Sequence, residues 1–300
     1  MKGTESHADW DDPGVESASS PEAEAHGNLD GSDSRIQLVG LVPAAGHAQR
    51  LAHLPCSKEI FPIGFDIPSR ATVARPRVAC HCLFDSFRIA GANKAFLVLR
   101  EPKWDIPAYL GDGSGVGLPI AYLVVRVPYG APFTLDQAYP FVQDSHILFG
   151  FPDIIFEPDN AFIALLEKQR STDADLVLGL FPAHRPEKMD MVELSADGKV
   201  RSIVIKPERT ELPYTWIIAV WTQVFTQFLH EHLAQWLAHR PEPTDRAKQE
   251  IFVGHVVQEA VYSGLRVESV RFPQGRYLDI GTPEDLISAC TAGFPERGAR

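Results

Sequence analysis

Short apolar runs alternate with amphipathic segments along most of the chain. Residues 36–42 and 95–99 are apolar runs bounded by turn-forming residues, which is typical of buried parallel strands. Between them, residues 78–90 place apolar side chains at helical spacing and stop at Gly91, a residue that favours helix ends. Strand, helix and strand in this order predict a βαβ unit with a right-handed crossover.

The same alternation continues toward the C-terminus. Two short β-like runs flank Ser195-Ala196-Asp197-Gly198, a sequence that favours a hairpin turn. The pattern predicts an α/β fold with a doubly wound, mostly parallel, Rossmann-like sheet and a small antiparallel insertion near residues 190–205. Further strands are predicted at 119–127, 146–149, 176–181, 215–221 and 267–272, and further helices at 133–142, 161–169, 223–239 and 251–263, with a last helix after Pro283.

Charge divides the chain unevenly. Residues 1–34 carry a charge of −8 out of the total of −11 and hold few large apolar side chains. Such a segment buries too little surface to offset the entropy lost on ordering, so we expect a disordered acidic tail. It has no basic stretch followed by an apolar one, and so does not resemble a signal peptide. Residues 35–290 are then predicted to form one domain, and residues 291–300 a C-terminal tail.

Composition excludes several classes of partner. The segment after the acidic tail is close to neutral, which argues against a general nucleic-acid-binding face. No apolar window approaches transmembrane length, so we expect no membrane partner. The four cysteines form no recognisable disulfide framework, which favours free thiols and a cytoplasmic location. Cys80-His81-Cys82 is not predicted to bind zinc, because side chains two positions apart on a helix point in different directions.

One candidate functional segment follows the first predicted strand. The apolar run ends in the small residues Ala44-Ala45-Gly46, and Arg50 and Lys58 come after it. Small residues let backbone N–H groups approach a phosphate or a base, and the two cations suit charge on transferring phosphoryl oxygens. Ligands of such sheets bind beyond the carboxyl ends of the strands. The segment contains neither a Walker A lysine nor a Gly-x-Gly-x-x-Gly fingerprint, so a tight turn with surface charges stays open as the alternative.

Several motifs along the chain occur in an order that is found in a known family. They are Ala45-Gly46-His47-Ala48-Gln49-Arg50-Leu51, Ser57-Lys58-Glu59-Ile60-Phe61-Pro62-Ile63, Gly111-Asp112-Gly113-Ser114, Asp197-Gly198-Lys199-Val200 with Lys206-Pro207, and Leu278-Asp279-Ile280-Gly281-Thr282-Pro283. Together they resemble the sugar-phosphate nucleotidyltransferases, especially the glucose-1-phosphate thymidylyltransferase branch. The resemblance spans roughly residues 36–290.

The resemblance implies an enzyme and a set of charged residues. A nucleotidyl group would pass from a nucleoside triphosphate, dTTP or UTP, to a sugar 1-phosphate, giving a sugar nucleotide and pyrophosphate. Asp153 and Asp279 match the family's magnesium ligands, so Mg²⁺ is the implied cofactor. Arg50 and Lys58 match its catalytic cations, and Lys206 matches the lysine that grips the sugar phosphate. Members are often homo-oligomers, so the resemblance also favours assembly of several copies.

Backbone contacts to the nucleoside are implied at two places. The resemblance assigns them to Ala44, Ala45 and Gly46 after the first strand, and to Gly130 farther along the chain. The alternatives that stay open are ordinary turn or cap residues at Asp153 and Asp279, and solvated surface cations at Arg50, Lys58 and Lys206.

Departures from the family pattern fall on positions that read the substrate. Val125 stands where thymidylyl enzymes commonly have a base-reading Gln, and a hydrophobic side chain cannot hydrogen-bond a pyrimidine. Substitution of that Gln by the adjacent Arg126 stays open as an alternative. Ile205 replaces the Glu that contacts sugar hydroxyls in the family, and Ala219 stands where Gly is expected. We therefore expect an active transferase with an altered choice of substrate.

Two other functions compete with this interpretation. A nucleotide or sugar-nucleotide sensor would keep the fold without catalysis, although such a protein needs no pair of metal-binding aspartates. A glycosyltransferase would have an Asp-x-Asp motif after a strand, whereas Asp173-Ala174-Asp175 precedes the strand predicted at 176–181.

Overall fold

The computed structural model describes residues 36–46, 51, 54–66, 74–126, 129–239 and 250–291. The predicted acidic tail lies outside these ranges, as do Arg50 and all but the first residue of the predicted C-terminal tail. Everything below concerns the described residues, which belong to one compact unit within Ile36–Arg300.

The structure contains the strands and helices that the hydrophobic pattern predicts, together with further short ones that it did not predict. The strands are β1 (Leu38–Pro43), β2 (Pro62–Asp66), β3 (Arg75–Val78), β4 (Lys94–Leu99), β5 (Ile120–Val124), β6 (His146–Gly150), β7 (Ile154–Glu157), β8 (Leu176–Pro182), β9 (Asp190–Leu194), β10 (Val200–Ile205), β11 (Tyr214–Trp221), β12 (Val267–Arg271) and β13 (Arg276–Asp279). The α-helices are α1 (His81–Ile89), α2 (Asp105–Leu110), α3 (Ala131–Asp136), α4 (Tyr139–Val142), α5 (Ala161–Thr172), α6 (Gln223–Ala238), α7 (Val253–Tyr262) and α8 (Pro283–Thr291).

The central sheet is mixed, with a parallel half that contains the first strand. β6, β1, β4 and β5 lie side by side in parallel, as the predicted βαβ unit requires. β11 runs antiparallel between β6 and β8, and β12 is parallel to β8. The predicted antiparallel insertion is the β9–β10 hairpin, which joins the sheet beside β11. The α/β fold class and its antiparallel insertion are therefore confirmed.

Both faces of the sheet are covered by apolar layers. Val39 and Leu41 of β1 point into one layer, which includes side chains of α3, α6 and α7, and Val42 points into the other, which includes α1 and α5. Gly40 permits close packing on that second face, because a Cβ atom there would lie 2.5 Å from the ring of Phe87. Buried strands with two apolar faces explain why the sequence shows continuous apolar runs rather than alternation.

Some predicted boundaries were wrong. The helix expected over 133–142 is two short helices, α3 and α4, and Pro140 lies in the first turn of α4. Proline has no backbone N–H to continue a preceding helix, so it begins a new one. β7 follows Asp153 directly and pairs with β13 in a small antiparallel sheet that the pattern did not predict.

No helix in the described ranges is long and apolar enough to span a bilayer. All four cysteines are free thiols, and Cys80 and Cys82 are buried at the start of α1. The Cys82 thiol exchanges hydrogen bonds with the backbone of Phe156, so this side chain has a structural role in packing α1 against β7.

Candidate functional site

The candidate site lies at the edge of the sheet where the parallel strands end. Ala44–Gly46 follow β1, and Phe151–Asp153 follow β6, its parallel neighbour. β11 runs in the opposite direction, so its first residues, including Trp216, reach the same edge. The fold thus collects segments that are far apart in the sequence at the position where ligands of α/β sheets bind.

The two predicted metal ligands are brought together by the β7–β13 sheet. Asp153 directly precedes β7, and Asp279 is the last residue of β13, opposite Ile154. The backbone N–H of Ile280 donates a hydrogen bond to the carbonyl oxygen of Asp153 at 3.0 Å. Backbone pairing therefore holds the two aspartates on neighbouring chain segments, although they are distant in sequence.

Lys58 lies against this carboxylate pair. Its ammonium donates a hydrogen bond to Oδ2 of Asp153, and both side chains are largely buried. Burial alone would lower the pKa of Lys58, but the charge of Asp153, supported by those of Glu59 and Asp279, outweighs it and raises the pKa above its usual value. Lys58 is thus a cation across the physiological pH range, which is hydrogen-bonded to Asp153 and interacts with the charge of Asp279.

A buried ion pair supports the short 3-10 turn that carries Lys58. Glu59, in that turn, accepts a hydrogen bond from Nζ of Lys103 at 2.5 Å, and both residues are buried. Burial raises the pKa of Glu59 against the lowering effect of Lys103. The preceding residue, Ser57, is held by Asp105 at the start of α2 through its backbone N–H and its hydroxyl, at 2.6 and 2.8 Å. These contacts fix the backbone on both sides of Lys58.

The donor set fits a magnesium ion that also binds substrate. Magnesium takes oxygen ligands and usually binds one or two carboxylates together with phosphate oxygens and water. Asp153 and Asp279 offer two carboxylates, and in the described part of the chain no group of three or more His, Cys, Asp or Glu side chains is arranged around a common point. Such a site would depend on the substrate to complete the coordination, which is how magnesium binds at phosphoryl-transfer centres.

The three small residues Ala44, Ala45 and Gly46 differ in exposure, and the backbone N–H of Ala44 is already hydrogen-bonded. The N–H of Ala44 donates to the carbonyl of Val98 at 2.8 Å and so extends the β1–β4 ladder, which removes this donor from any contact with a nucleotide. Ala45 is half-buried and Gly46 is exposed. A Cβ atom on Gly46 would meet no heavy atom of the described residues within 4 Å.

Gly130 is required by the fold itself. Its φ of +108° disfavours other residues, and a Cβ atom would lie 2.2 Å from the carbonyl oxygen of Ile251. The backbone N–H of Ile251 also donates to the carbonyl of Tyr129 at 3.1 Å. The segment that precedes α7 is therefore tied to the loop containing Gly130.

The same segment contacts Lys206, whose positive φ is uncommon for residues other than glycine. Lys206 follows β10 with a φ of +40°, and its N–H donates to the carbonyl of Met189 at 3.1 Å. Its ammonium lies 3.5 Å from the centre of the Phe252 ring, within the range of a cation–π interaction. Phe252 directly follows Ile251, so Lys206 and the Gly130 loop share one neighbouring segment.

Three residues near these groups were not predicted from the sequence as part of the site. Arg185 forms a 2.7 Å ion pair with Asp285, and its positive charge also interacts with Asp279. Asp190 and Trp216 each have a buried polar atom without a hydrogen-bond partner in the structure. No motif marks any of these three positions. Arg50, in contrast, was predicted but lies outside the described residues, so its role stays a prediction.

The position expected to read the base is filled by the core. Val125 is buried in the apolar layer on the α3 side, and its N–H donates to the carbonyl of Leu99 at 2.8 Å. A buried valine cannot recognise a base edge by hydrogen bonding.

Comparisons with known proteins agree with this architecture. The sequence profile of the family described as "Nucleotidyl transferase" matches residues 44–293. Among curated proteins, the chain is 25% identical over 206 residues to the low-salt glycan biosynthesis nucleotidyltransferase Agl11 of Haloferax volcanii, and 24% identical over 211 residues to a glucose-1-phosphate thymidylyltransferase of Streptomyces antibioticus. Each match covers 68% of this chain and 54% of the relative, so the chain spans about half the length of the curated relatives it matches.

Solved structures show the same fold. A putative glucose-1-phosphate thymidylyltransferase from Bacillus anthracis, in complex with a sucrose, aligns with a TM-score of 0.70 at 17% identity over 88% of this chain and 98% of its own. The inositol-1-phosphate CTP transferase of T. maritima aligns with a TM-score of 0.61 at 19% identity over 86% and 98%. Since the family profile covers far more than half of the 300 residues, this chain belongs to the nucleotidyl transferase family.

Proposed function

We propose that this protein transfers a nucleotidyl group from a nucleoside triphosphate to a sugar 1-phosphate. The observation that carries the proposal is the convergence of Lys58, Asp153 and Asp279 at the carboxyl edge of the parallel strands. One cation and two carboxylates next to an open small-residue segment suit a polyphosphate and its counter-ion. Relatives of this chain that are named as transferring nucleotidyl groups support the same reaction class.

The reaction needs no covalent intermediate on the protein. An oxygen of the sugar phosphate attacks the α-phosphorus of the triphosphate, a new P–O bond forms, and the bond to the bridging oxygen breaks so that pyrophosphate leaves with its electron pair. Catalysis of such a step consists of positioning and of neutralising charge on the phosphoryl oxygens. A magnesium ion, when bound, supplies charge neutralisation on the phosphates, and Asp153 and Asp279 would hold it.

Each predicted residue has a task in this scheme. Lys58 neutralises the α-phosphate or the attacking phosphate, and its two carboxylate neighbours keep it charged and oriented. Arg50 stabilises the leaving pyrophosphate. Lys206 binds the acceptor phosphate, and its position on the Phe252 ring directs its ammonium. Backbone groups of Ala45, Gly46 and the Gly130 loop contact the nucleoside, while Ala44 contributes its small size rather than its N–H.

The proposal extends to the choice of nucleotide. The resemblance favours dTTP or UTP, but Val125 provides no polar group for the base, so we expect a broader choice of nucleotide than a dedicated thymidylyltransferase has. We further propose a cytoplasmic reaction, since the four cysteines are free. Assembly into a homo-oligomer stays a prediction from the resemblance.

Product formation across a substrate panel tests the proposal. The wild-type protein is incubated with magnesium and each of the common ribo- and deoxyribonucleoside triphosphates, paired with glucose, galactose, mannose and N-acetylglucosamine 1-phosphates. We expect magnesium-dependent release of pyrophosphate together with a sugar nucleotide for at least one pair. Nucleotide binding without turnover for every pair would favour the sensor instead.

Variants of two aspartates provide a matched control for that assay. Asp153→Asn, after β6, is expected to remove activity. Asp144→Asn, at an exposed position before the same strand, is expected to keep it. Equal activity of the two variants would remove Asp153 from the proposed site.

A further inference from the structure

Asp190 is a buried carboxylate that lacks one of its partners. It begins β9, and burial raises the pKa of its side chain to about 6, against the lowering effects of Lys206 and of a hydrogen bond from the Gly254 N–H. Its Oδ1 is buried and has no hydrogen-bond partner among the residues that the structure describes. Buried polar atoms are nearly always paired, so an unpaired carboxylate oxygen beside a candidate substrate site needs an explanation.

Part of the carboxylate has a structural role. The N–H of Gly254 lies in the first turn of α7, so Asp190 caps this helix from a different chain segment. A Cβ atom on Gly254 would lie 2.4 Å from Oδ2 of Asp190, which explains the glycine. Capping accounts for one oxygen and leaves Oδ1 unused.

The strand register places this unused oxygen among residues of the proposed acceptor site. Asp190 is directly opposite Ile205, the residue before Lys206. Directly opposed residues on neighbouring strands share a face of the sheet, so Asp190 and Ile205 point to the same side. Ile205 itself carries no polar group, so the carboxylate on this face beside Lys206 comes from the adjacent strand.

A second unpaired polar atom lies on the same face. Met191 pairs with Thr215 of β11, which makes Trp216 the next neighbour of Asp190 across the two strands. Nε1 of Trp216 is buried and has no hydrogen-bond partner among the described residues. The indole packs against Phe149 and Phe151, and Phe151 lies two residues before Asp153. An unpaired acceptor, an unpaired donor and the Lys206 cation thus lie between the metal-site segment and α7.

We propose that Asp190 is a specificity-determining residue that accepts a hydrogen bond from a hydroxyl group of the acceptor whose phosphate Lys206 binds. This inference rests on the proposed function, because it assigns a contact within the same acceptor site. A carboxylate whose charge interacts with the Lys206 cation favours an acceptor that carries a hydroxyl near its phosphate, which is a property of sugar and polyol phosphates. An acceptor without that hydroxyl leaves Oδ1 buried and unpaired and loses affinity.

Acceptor binding, measured by calorimetry independently of turnover, tests the inference. The probes are glucose, galactose and mannose 1-phosphates and the monodeoxy analogues of each, with wild-type protein and magnesium in the presence of a non-hydrolysable nucleotide. For the sugar that binds best, we expect loss of one hydroxyl to weaken binding by about tenfold or more. If no single deletion changes the affinity by more than about threefold, the inference is overturned without any variant.

Asp190→Asn identifies the partner of that hydroxyl. Asparagine keeps an oxygen for the Gly254 N–H, so the cap on α7 is retained, and thermal unfolding checks this. We expect the variant to bind the parent sugar about tenfold more weakly and to lose its discrimination against the one sensitive analogue, while nucleotide affinity stays unchanged. Discrimination that persists in the variant overturns the role of Asp190.

The two proposals fail in different ways. Discrimination that depends on Asp190, in a protein that produces no sugar nucleotide, would uphold the inference on the binding site and refute the proposed reaction. Turnover with discrimination that does not depend on Asp190 would uphold the reaction and refute the inference. Failure of every sugar 1-phosphate to bind or react would refute both.

Discussion

The ammonium of Lys58 contacts the carboxylate of Asp153 across 95 positions of sequence. The contact joins the loop after β1 to the segment after β6, two strands that are parallel neighbours in the sheet. It places the positive charge of Lys58 near the carboxylates of Asp153 and Asp279. A cation of this kind suits the negative charge of a polyphosphate, and the two carboxylates suit the divalent cation that accompanies it.

Removal of the Lys58 cation is expected to slow the reaction strongly. Lys58→Ala should lower kcat/KM by about 100-fold or more, because a positioned charge on the phosphoryl oxygens is lost. Lys94→Ala, at the opposite end of the sheet in the first position of β4, is the matched control and should leave the rate unchanged. Pyrophosphate release measures both, and equal rates for the two variants would refute the catalytic role of Lys58.

Gly46 and Gly130 are expected to respond differently to alanine. Gly130→Ala should destabilise the protein by about 2 kcal/mol or more, because its φ is positive and the new Cβ collides with Ile251. Gly46→Ala meets open space and should change stability by less than about 0.5 kcal/mol, while weakening nucleotide binding by about tenfold if the backbone there approaches the ligand. Denaturant unfolding and nucleotide titration separate the two effects. A Gly46→Ala variant with unchanged nucleotide affinity would place the nucleoside elsewhere.

The buried Glu59–Lys103 pair yields a prediction on stability. Lys103→Met should lower the free energy of unfolding by about 3 kcal/mol, because it leaves Glu59 buried without a cation. Burial raises the pKa of Glu59, so protonation is favoured in the folded state and the loss should be smaller at mildly acidic pH than at neutral pH. Lys168→Met, which breaks a partly exposed pair with Glu268, should cost less than about 1 kcal/mol. Urea denaturation at the two pH values checks the sign, and a loss that grows on acidification would contradict it.

Asp190 gives the acceptor KM a pH dependence. Its pKa is raised to about 6, first by burial and against the effect of Lys206, so the carboxylate becomes protonated as the pH falls through that value. His255 on α7 also interacts with Lys206, and burial, followed by the charge of Lys206, lowers the pKa of His255 below its usual value. The acceptor KM should therefore rise on acidification in the wild type. Sugar phosphates titrate in the same pH range, so the KM profile of Asp190→Asn serves as the control for titration of the substrate. Parallel KM profiles for the two proteins would show that Asp190 does not cause the pH dependence.

Local sequence signals predicted the strands and most helices, because buried parallel strands and amphipathic helices have distinct apolar periods. The location of Asp153 and Asp279 at strand ends was also predictable, since Asp153 follows the apolar run 146–149 and Asp279 lies in the motif that runs from Leu278 to Pro283. Their proximity was not, because it depends on β7, whose four residues lack a distinguishing pattern and whose partner, β13, lies far along the chain.

Asp190 shows what the sequence could not reveal. Its environment is built by Lys206, Gly254 and Trp216, which come from three other segments and meet only through the pairing of β9 with β10 and β11. A lone aspartate before an apolar strand carries no local signal for such a role. Gly130 is the opposite case, because the resemblance assigned it a contact with the nucleoside. The close approach of Ile251 explains why a glycine is needed there without any ligand.

The central claim is that Asp153 and Asp279 act as one unit with Lys58 in nucleotidyl transfer. Comparison of kcat/KM for the wild type, Asp153→Asn, Asp279→Asn and the double variant tests it most directly. Residues that serve one metal-dependent step lose their effects together, so we predict that each single variant loses about 100-fold or more and that the double variant loses little beyond the larger single loss. Losses that multiply in the double variant, or a single variant with the wild-type rate, would contradict the account.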